Sequence, residues 1–379
     1  MLKRVGAVLL FVLAGISSAA AEDCAKAAVL LGEARSAQGD PDSQDEAERK
    51  LREAVAACPS SPDAHYLMAL RLLARGAYQP AVEAFRSAER LRTDPRHLLG
   101  LARALALSEQ YGEAEETYRK LLTSDAKNTQ ALQGLSAVYF KLNRHGEAEE
   151  VVRRALQVDS EDAELYFNLG LILAKSGRLD EAVTSFQTAV EKRSHFAGAY
   201  RELAETYLKL EILPRAEDAA RSAALHAPKD ASVWLLVATL HERQGEHQEA
   251  LEAVRKAEAI APKRADVLIN LGIILQKAGN GSDALSKLKK AVELHPNSAD
   301  AHAALGWAYL EQREFEPAET SLRTSLTLNE TNAFAHNNLG VVLEMTDRVE
   351  QAKKSFERAR ELAPNLQTAE HNLDSVNAQ

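Results

Sequence analysis

Apolar residues return along this chain on a helical stride set inside a much longer period. Tyr166, Leu169 and Leu173, with the small Gly170 among them, follow the i, i+3, i+4, i+7 spacing of one helix face, and Leu268, Leu271, Gly272 and Leu275 repeat it further on. The longer period shows in one residue type. Alanine recurs at Ala47, Ala81, Ala114, Ala148, Ala182, Ala216, Ala250, Ala284, Ala318 and Ala352, at intervals of 34 residues with one of 33. A single globular core does not produce that spacing. A stack of one supersecondary unit does, each copy covering its neighbour's apolar face.

Taking the recurring alanine as position twenty of each unit gives nine units: 62-94, 95-128, 129-162, 163-196, 197-230, 231-264, 265-298, 299-332 and 333-366. A divergent unit over 22-61 precedes them. Position eight is always small, as at Ala69, Ser136, Gly170 and Gly306, so a second helix can approach closely there. Position twenty-four is bulky in most units, as at Phe85, Tyr118, Phe186 and Phe356, and is expected to fill the space between units. Position twenty-seven is alanine in all but Leu121 and Ser325, and proline often stands at position thirty-two, where it ends a helix. Each unit therefore reads as a helix, a short turn near position fifteen, and an antiparallel helix. After Pro364, the residues Leu366, Ala369, Leu373 and Val376 predict one more amphipathic helix over 367-379 that caps the last repeat.

Composition agrees with an all-α chain: aromatic residues make up only 5% and helix formers dominate. A net charge of −9 argues against nucleic acid as a partner. Residues 1-21 stand apart, with Lys3 and Arg4 before an apolar run from Val5 to Ile16 and Ala19-Ala20-Ala21 before Glu22. This is the pattern of a cleaved secretory signal peptide, so the mature chain is expected in a periplasm or outside the cell with no integral membrane segment. In that oxidising setting Cys24 opens the first helix of repeat one and Cys58 closes its second, so an antiparallel hairpin brings them together. A disulfide there stabilises by roughly 4 kcal/mol on a chain-entropy account. A reactive or metal-binding pair is the rival reading, which the lack of a C-x-x-C spacing disfavours.

Tyr166-Phe167-Asn168-Leu169-Gly170 with Gly177, Ala182, Phe186 and Ala189 resembles the tetratricopeptide repeat, as does Asn270-Leu271-Gly272 with Gly279, Ala284 and Ala291. The resemblance covers about residues 25 to 366. Repeat one departs from it, since its Gly32 and Gly39 fit only if three extra residues enter the turn around Asp40-Pro41-Asp42. The resemblance implies a right-handed α-solenoid of about ten helix-turn-helix units. Its inner groove would be lined by first helices, chiefly at positions two, five, nine, twelve and thirteen, and would bind proteins or extended peptides.

Nothing in the sequence reads as catalytic. There is no His-Glu-x-x-His, no phosphate loop and no nucleophile elbow, and Gly279-Asn280-Gly281-Ser282 falls in an inter-helix turn. His302 and His336, one repeat apart, are expected to face the partner helix in the core and not to ligate metal. No cofactor and no metal are expected. Three patterns remain on the expected groove. Asn168, Asn270 and Asn338 share position six, with Asn372 equivalent in the cap, and side-chain amides can hold a peptide backbone. Lys141, Lys175, Lys209, Arg243 and Lys277 share position thirteen and form a candidate basic strip. Ile269, Ile273, Trp307, Leu310, Phe334, Val341 and Met345 make an apolar patch in the last three repeats, of the kind a partner covers. The expectation is a non-enzymatic envelope scaffold serving a secretion, pilus, polysaccharide-export or outer-membrane complex. The alternative is a carrier that holds an anionic polysaccharide through the basic strip.

Overall fold

The structure, a computed structural model, describes residues 22–36 and 44–377. The expected signal peptide and the expected insertion at Asp40-Pro41-Asp42 lie outside the described residues. Among the described residues there are 21 helices and no strand. The chain divides into two compact units, one ending at Lys192 and the other beginning at Arg193.

The first unit runs through α1 (22–36), α2 (Gln44–Ala57), α3 (Pro62–Ala74), α4 (Tyr78–Leu91), α5 (Pro95–Leu107), α6 (Tyr111–Ser124), α7 (Thr129–Lys141), α8 (His145–Val158), α9 (Ala163–Lys175) and α10 (Leu179–Lys192). The second runs through α11 (Ala197–Lys209), α12 (Leu213–His226), α13 (Ala231–Arg243), α14 (His247–Ile260), α15 (Ala265–Lys277), α16 (Gly281–Leu294), α17 (Ala299–Glu311), α18 (Phe315–Leu328), α19 (Ala333–Glu344), α20 (Val349–Leu362) and α21 (Gln367–Asn377). Within each unit a first helix pairs with the second helix of its own repeat and is followed by the next pair.

Local chemistry explains where these helices start and stop. Seven first helices, beginning with α3 and α5, are opened by a Ser, Asp or Asn side chain that accepts a backbone N–H. Phe196 and Arg264 occupy the same place before α11 and α15 and supply no such bond. Between the helices of each repeat, position fifteen is left-handed in all nine units: Gly76, Gly177, Gly245 and Gly279 at φ of 77–82°, and Glu109, Asn143, Glu211, Arg313 and Asp347 at 57–63°. This turn lets the N–H of position sixteen reach back to the carbonyl of position eleven, as Arg144 does to Tyr139 at 2.9 Å and Arg348 to Leu343 at 2.8 Å.

Packing follows the frame. The recurring alanines are buried, and in six units the bulky residue at position twenty-four meets a glycine. A β-carbon on Gly170 would come 2.5 Å from the Phe186 ring, and the same holds at Gly272, Gly306 and Gly340 against Leu288, Leu322 and Phe356. In two units the glycine moves to position six. Gly100 then receives Phe85, and Gly134 receives Tyr118, each from the preceding repeat. Position twenty-four thus fills space within a repeat in some units and between repeats in others. At the C-terminal end α21 buries Ala369, Leu373 and Val376, the last two in a cluster with Leu339, Leu343 and Phe356. At the other end Cys24 and Cys58 are joined in a disulfide, with Cα atoms 4.8 Å apart.

Candidate functional site

The three candidate patterns differ in how the structure presents them. The apolar patch belongs to the second unit, where α15, α17 and α19 lie side by side. Ile269 and Ile273 on α15 are half-buried against Leu288, Ala304 and Leu305. Leu310 on α17 and Val341 on α19 are half-buried against the cluster of Leu322, Leu339 and Phe356. Trp307 is half-buried, and its indole N–H donates to Glu311 Oε1 at 3.1 Å. Phe334 and Met345 stay 42% and 49% exposed. Four of the seven residues therefore contribute to packing between repeats, while Phe334, Met345 and part of Trp307 remain open to a partner.

The asparagines do not present a row of free amides. Asn168 is half-buried on α9 of the first unit, and Asn270 donates to the Asp266 carbonyl of its own helix at 2.8 Å. Asn338 is only 6% exposed, and its amide nitrogen has no partner among the described residues. The reason lies in position six, which is the position where Gly100 and Gly134 touch the preceding repeat. There Asn338 is buried, while Asn168 and Asn270 are half-buried. Asn372 of the cap binds Asn337 Oδ1 at 3.1 Å, which ties α21 to α19.

The position-thirteen cations are all exposed. Each ends its first helix, where a positive charge also favours the carbonyl end of the helix dipole. Lys141 and Lys175 in the first unit make no ion pair among the described residues. In the second unit Lys277 is 3.1 Å from Glu242, and carboxylates crowd the same region. Arg201 there is held by Glu202 at 2.9 Å, with Asp230 and Glu205 at 3.7 and 3.8 Å. Burial, and then the Glu202 charge, push the Glu205 carboxyl above its usual range. A uniform strip of positive potential is therefore interrupted in that unit.

The histidines take a role that the sequence did not indicate. His302 and His336 are half-buried and not core, and each ring Nε2 lies 3.0 Å from a carbonyl in the turn before its own helix, at Pro296 and Glu330. His65 makes the same contact with Pro59, and the Trp234 indole N–H makes it with Pro228. Position four thus tethers the turn between repeats. No group of three or more potential metal ligands occurs among the described residues.

Antiparallel helix pairs recurring with this period, closed by an alanine contact and a left-handed turn, define a helical-repeat protein. The chain belongs to the tetratricopeptide repeat family. Residues 128–337 match the tetratricopeptide model described as Cilia and flagella-associated protein 70 C-terminal domain. Models described as Tetratricopeptide repeat match residues 333–366, 30–95 and 66–129. No curated protein matches the chain. Among solved structures it is similar to a tetratricopeptide repeat protein from Parabacteroides merdae, at 17% identity and a TM-score of 0.58 over 66% of this chain and 98% of that one. It also resembles the APC/C hetero-tetramer Cut9-Hcn1, at 17% identity and 0.55 over 88% and 73%. Yeast Tom70 aligns over 93% of this chain and 95% of its own, at 14% identity and 0.52. These likenesses establish the fold. Among the described residues no helix is long and apolar enough to cross a membrane.

Proposed function

We propose that this chain is a non-enzymatic scaffold that binds a protein or an extended peptide along its first helices. The observation that carries the reading is the apolar face of the second unit, where Phe334 and Met345 are exposed beside the half-exposed Trp307. Large apolar side chains gathered on one face, with tryptophan among them, are the usual anchors of a protein contact. The apolar leader and the Cys24–Cys58 disulfide support placement in the cell envelope after export. There the scaffold would serve assembly of a secretion, pilus, polysaccharide-export or outer-membrane complex.

The test is capture from the envelope fraction of the source cell, comparing the wild-type chain with a Trp307→Ala, Phe334→Ala variant of unchanged helicity. A protein retained by the wild type and lost by the variant supports the reading. Equal retention by both removes this face from the contact. The exposed, unpaired Lys141 and Lys175 favour the anionic-glycan carrier as a second reading. It would be distinguished by retention of acidic polysaccharide that salt abolishes.

A further inference from the structure

In the first unit, between α5 and α7, the first-helix face opens into a cavity of about 430 Å³. Its floor is Tyr118, which reaches it from α6 because the facing residue is Gly134. A β-carbon on Gly134 would come 2.3 Å from the phenol oxygen. Tyr118 is the one tyrosine at position twenty-four in the chain, and the repeat that follows it carries glycine at position six. That pairing occurs once. Tyr118 is 3% exposed, yet its hydroxyl has no hydrogen-bond partner among the described residues and borders the cavity. Burial pushes the phenol up to about 12, so it stays protonated and able to donate. The hydroxyl is not among the fully buried unpaired atoms, so it faces the cavity and is free to donate to a group that enters it.

The walls and rim narrow what that ligand is. Leu99 and Leu107 supply apolar surface, and Leu107 is itself exposed. Arg103 is the one ionised side chain lining the cavity, and it makes no ion pair among the described residues. Gln133 donates its amide nitrogen to Asp162 at 3.0 Å, which leaves its carbonyl oxygen to accept an N–H from the ligand. A phenol donor and a free guanidinium converge on an anionic oxygen, the leucines on a short aliphatic stem, and the Gln133 oxygen on an amide.

We propose that this cavity binds the side chain of a glutamate within an extended peptide, its carboxylate on Tyr118 and Arg103 and its methylenes on Leu99 and Leu107. The site rests on the peptide-binding reading for the nature of its ligand, but it lies in the other unit from the Trp307 face.

The test uses the full chain, labelled with nitrogen-15, and reads the Gly134 backbone amide. The probe is the capped peptide acetyl-Ala-Ala-Glu-Ala-Ala-amide, with its glutamine counterpart and with acetyl-penta-alanine bearing a free C-terminal carboxylate. A saturable shift with the glutamate peptide is expected, with the glutamine peptide at least about tenfold weaker. Tyr118→Phe, which preserves shape, should weaken binding about three- to tenfold, and Arg103→Gln about tenfold with loss of the salt dependence. Ala137→Phe, at an exposed position on the rim, should abolish the shift by filling the cavity. Equal response to the glutamate and glutamine peptides overturns the proposal, as does indifference to Tyr118→Phe and Arg103→Gln. Stronger binding of the free C-terminus would reassign the site to a chain terminus. A silent Gly134 amide in a protein that still loses its captured partner through Trp307→Ala, Phe334→Ala overturns this proposal and leaves the scaffold reading standing.

Discussion

The guanidinium of Arg348 grips both carboxylate oxygens of Glu319 across the joint between two repeats, Nη1 to Oε1 at 2.9 Å and Nη2 to Oε2 at 2.5 Å. The same joint recurs in the first unit, where Arg144 meets Glu115 and Arg178 meets Glu149. Position sixteen of one repeat thus holds position twenty-one of the repeat before it. The Arg348 bond, with help from Arg323, holds the Glu319 carboxyl down at about 2, well below its ordinary value of 4.5.

A carboxylate whose pKa falls on folding adds stability above its unfolded value and loses it as pH drops toward its folded value. The Glu319 contribution should be complete above about pH 5 and fade between pH 4.5 and 2. Thermal melts of the wild type and Glu319→Gln check this. The variant should melt lower at pH 7, and the gap should close as the pH approaches 2. A gap that stays constant across that range would mean the Arg348 contact does not stabilise through charge.

Gly170 and Phe186 make a lock and key inside one repeat. Gly170→Ala places a β-carbon 2.5 Å from the ring and should destabilise by about 1–3 kcal/mol, a typical overpacking effect. Elsewhere the chain holds the compatible pair Ala238 and Val254 at the same two positions. Adding Phe186→Val to Gly170→Ala should therefore cost less than the two single changes summed, by about 1 kcal/mol or more. A urea-unfolding cycle of the four proteins measures the coupling. Strict additivity would show that ring and glycine do not constrain each other.

The period of apolar and small residues makes the helix pairs, the second-helix alanine contact and the capping helix legible in the sequence. Those features depend on side-chain size at fixed positions, which sequence displays directly. The orientation of position six did not emerge from the sequence, because Asn168, Asn270 and Asn338 look alike there while burial depends on what the preceding repeat brings against them. The cavity at Tyr118 is not legible in the sequence for a related reason. The size pattern at position eight, Ser136 in that unit, does not point to Gly134 at position six, whose effect is to uncover a residue from another repeat. Acids beside the basic strip, Glu205, Glu242 and Glu311, are legible in the sequence, but which cation each engages is not, and Glu242 meets Lys277 of the following repeat.

Left-handed turn residues offer a test of backbone strain. Arg313 holds φ of 59° at a site where four other repeats use glycine. A side chain in this region is strained, and glycine relieves it at some loss of unfolded-state entropy, so Arg313→Gly should stabilise by about 0.5–1 kcal/mol. Gly177→Ala should do the reverse by about 1 kcal/mol. The local readout is hydrogen exchange of the Glu314 amide, which donates to the Tyr309 carbonyl at 2.9 Å and should exchange several-fold more slowly in Arg313→Gly. Faster exchange would reverse the argument.

Ser325 stands where seven other repeats of the nine carry alanine, and its hydroxyl is buried with no partner among the described residues. Removing an unpaired buried hydroxyl restores no lost contact and relieves a desolvation penalty. Ser325→Ala should raise stability by about 1 kcal/mol, seen as a higher urea midpoint with unchanged slope. A lower midpoint would indicate that the hydroxyl is engaged after all.

The Cys24–Cys58 disulfide joins α1 to the end of α2 in the first repeat of its unit, and that position predicts a local effect. Cys58 is buried among Ala27, Leu31, Leu51 and Ala54, so the bond ties α1 to the end of α2 through their shared core. Opening it frees a loop of about 35 residues in the unfolded ensemble, worth about 4 kcal/mol on the chain-entropy account. Coupling between repeats is nearest-neighbour, so the loss should be felt first in α1 and α2 and should fade within a repeat or two. Hydrogen exchange of the Cys24→Ala, Cys58→Ala variant, or of the reduced protein, measures it residue by residue. Amides of α1 and α2 should exchange at least about tenfold faster while those of α7 and α8 hold their protection. Acceleration shared equally by α8 would show that the first unit unfolds as one block, and no acceleration in α1 would show that its packing against Leu51 and Ala54 alone holds the end closed.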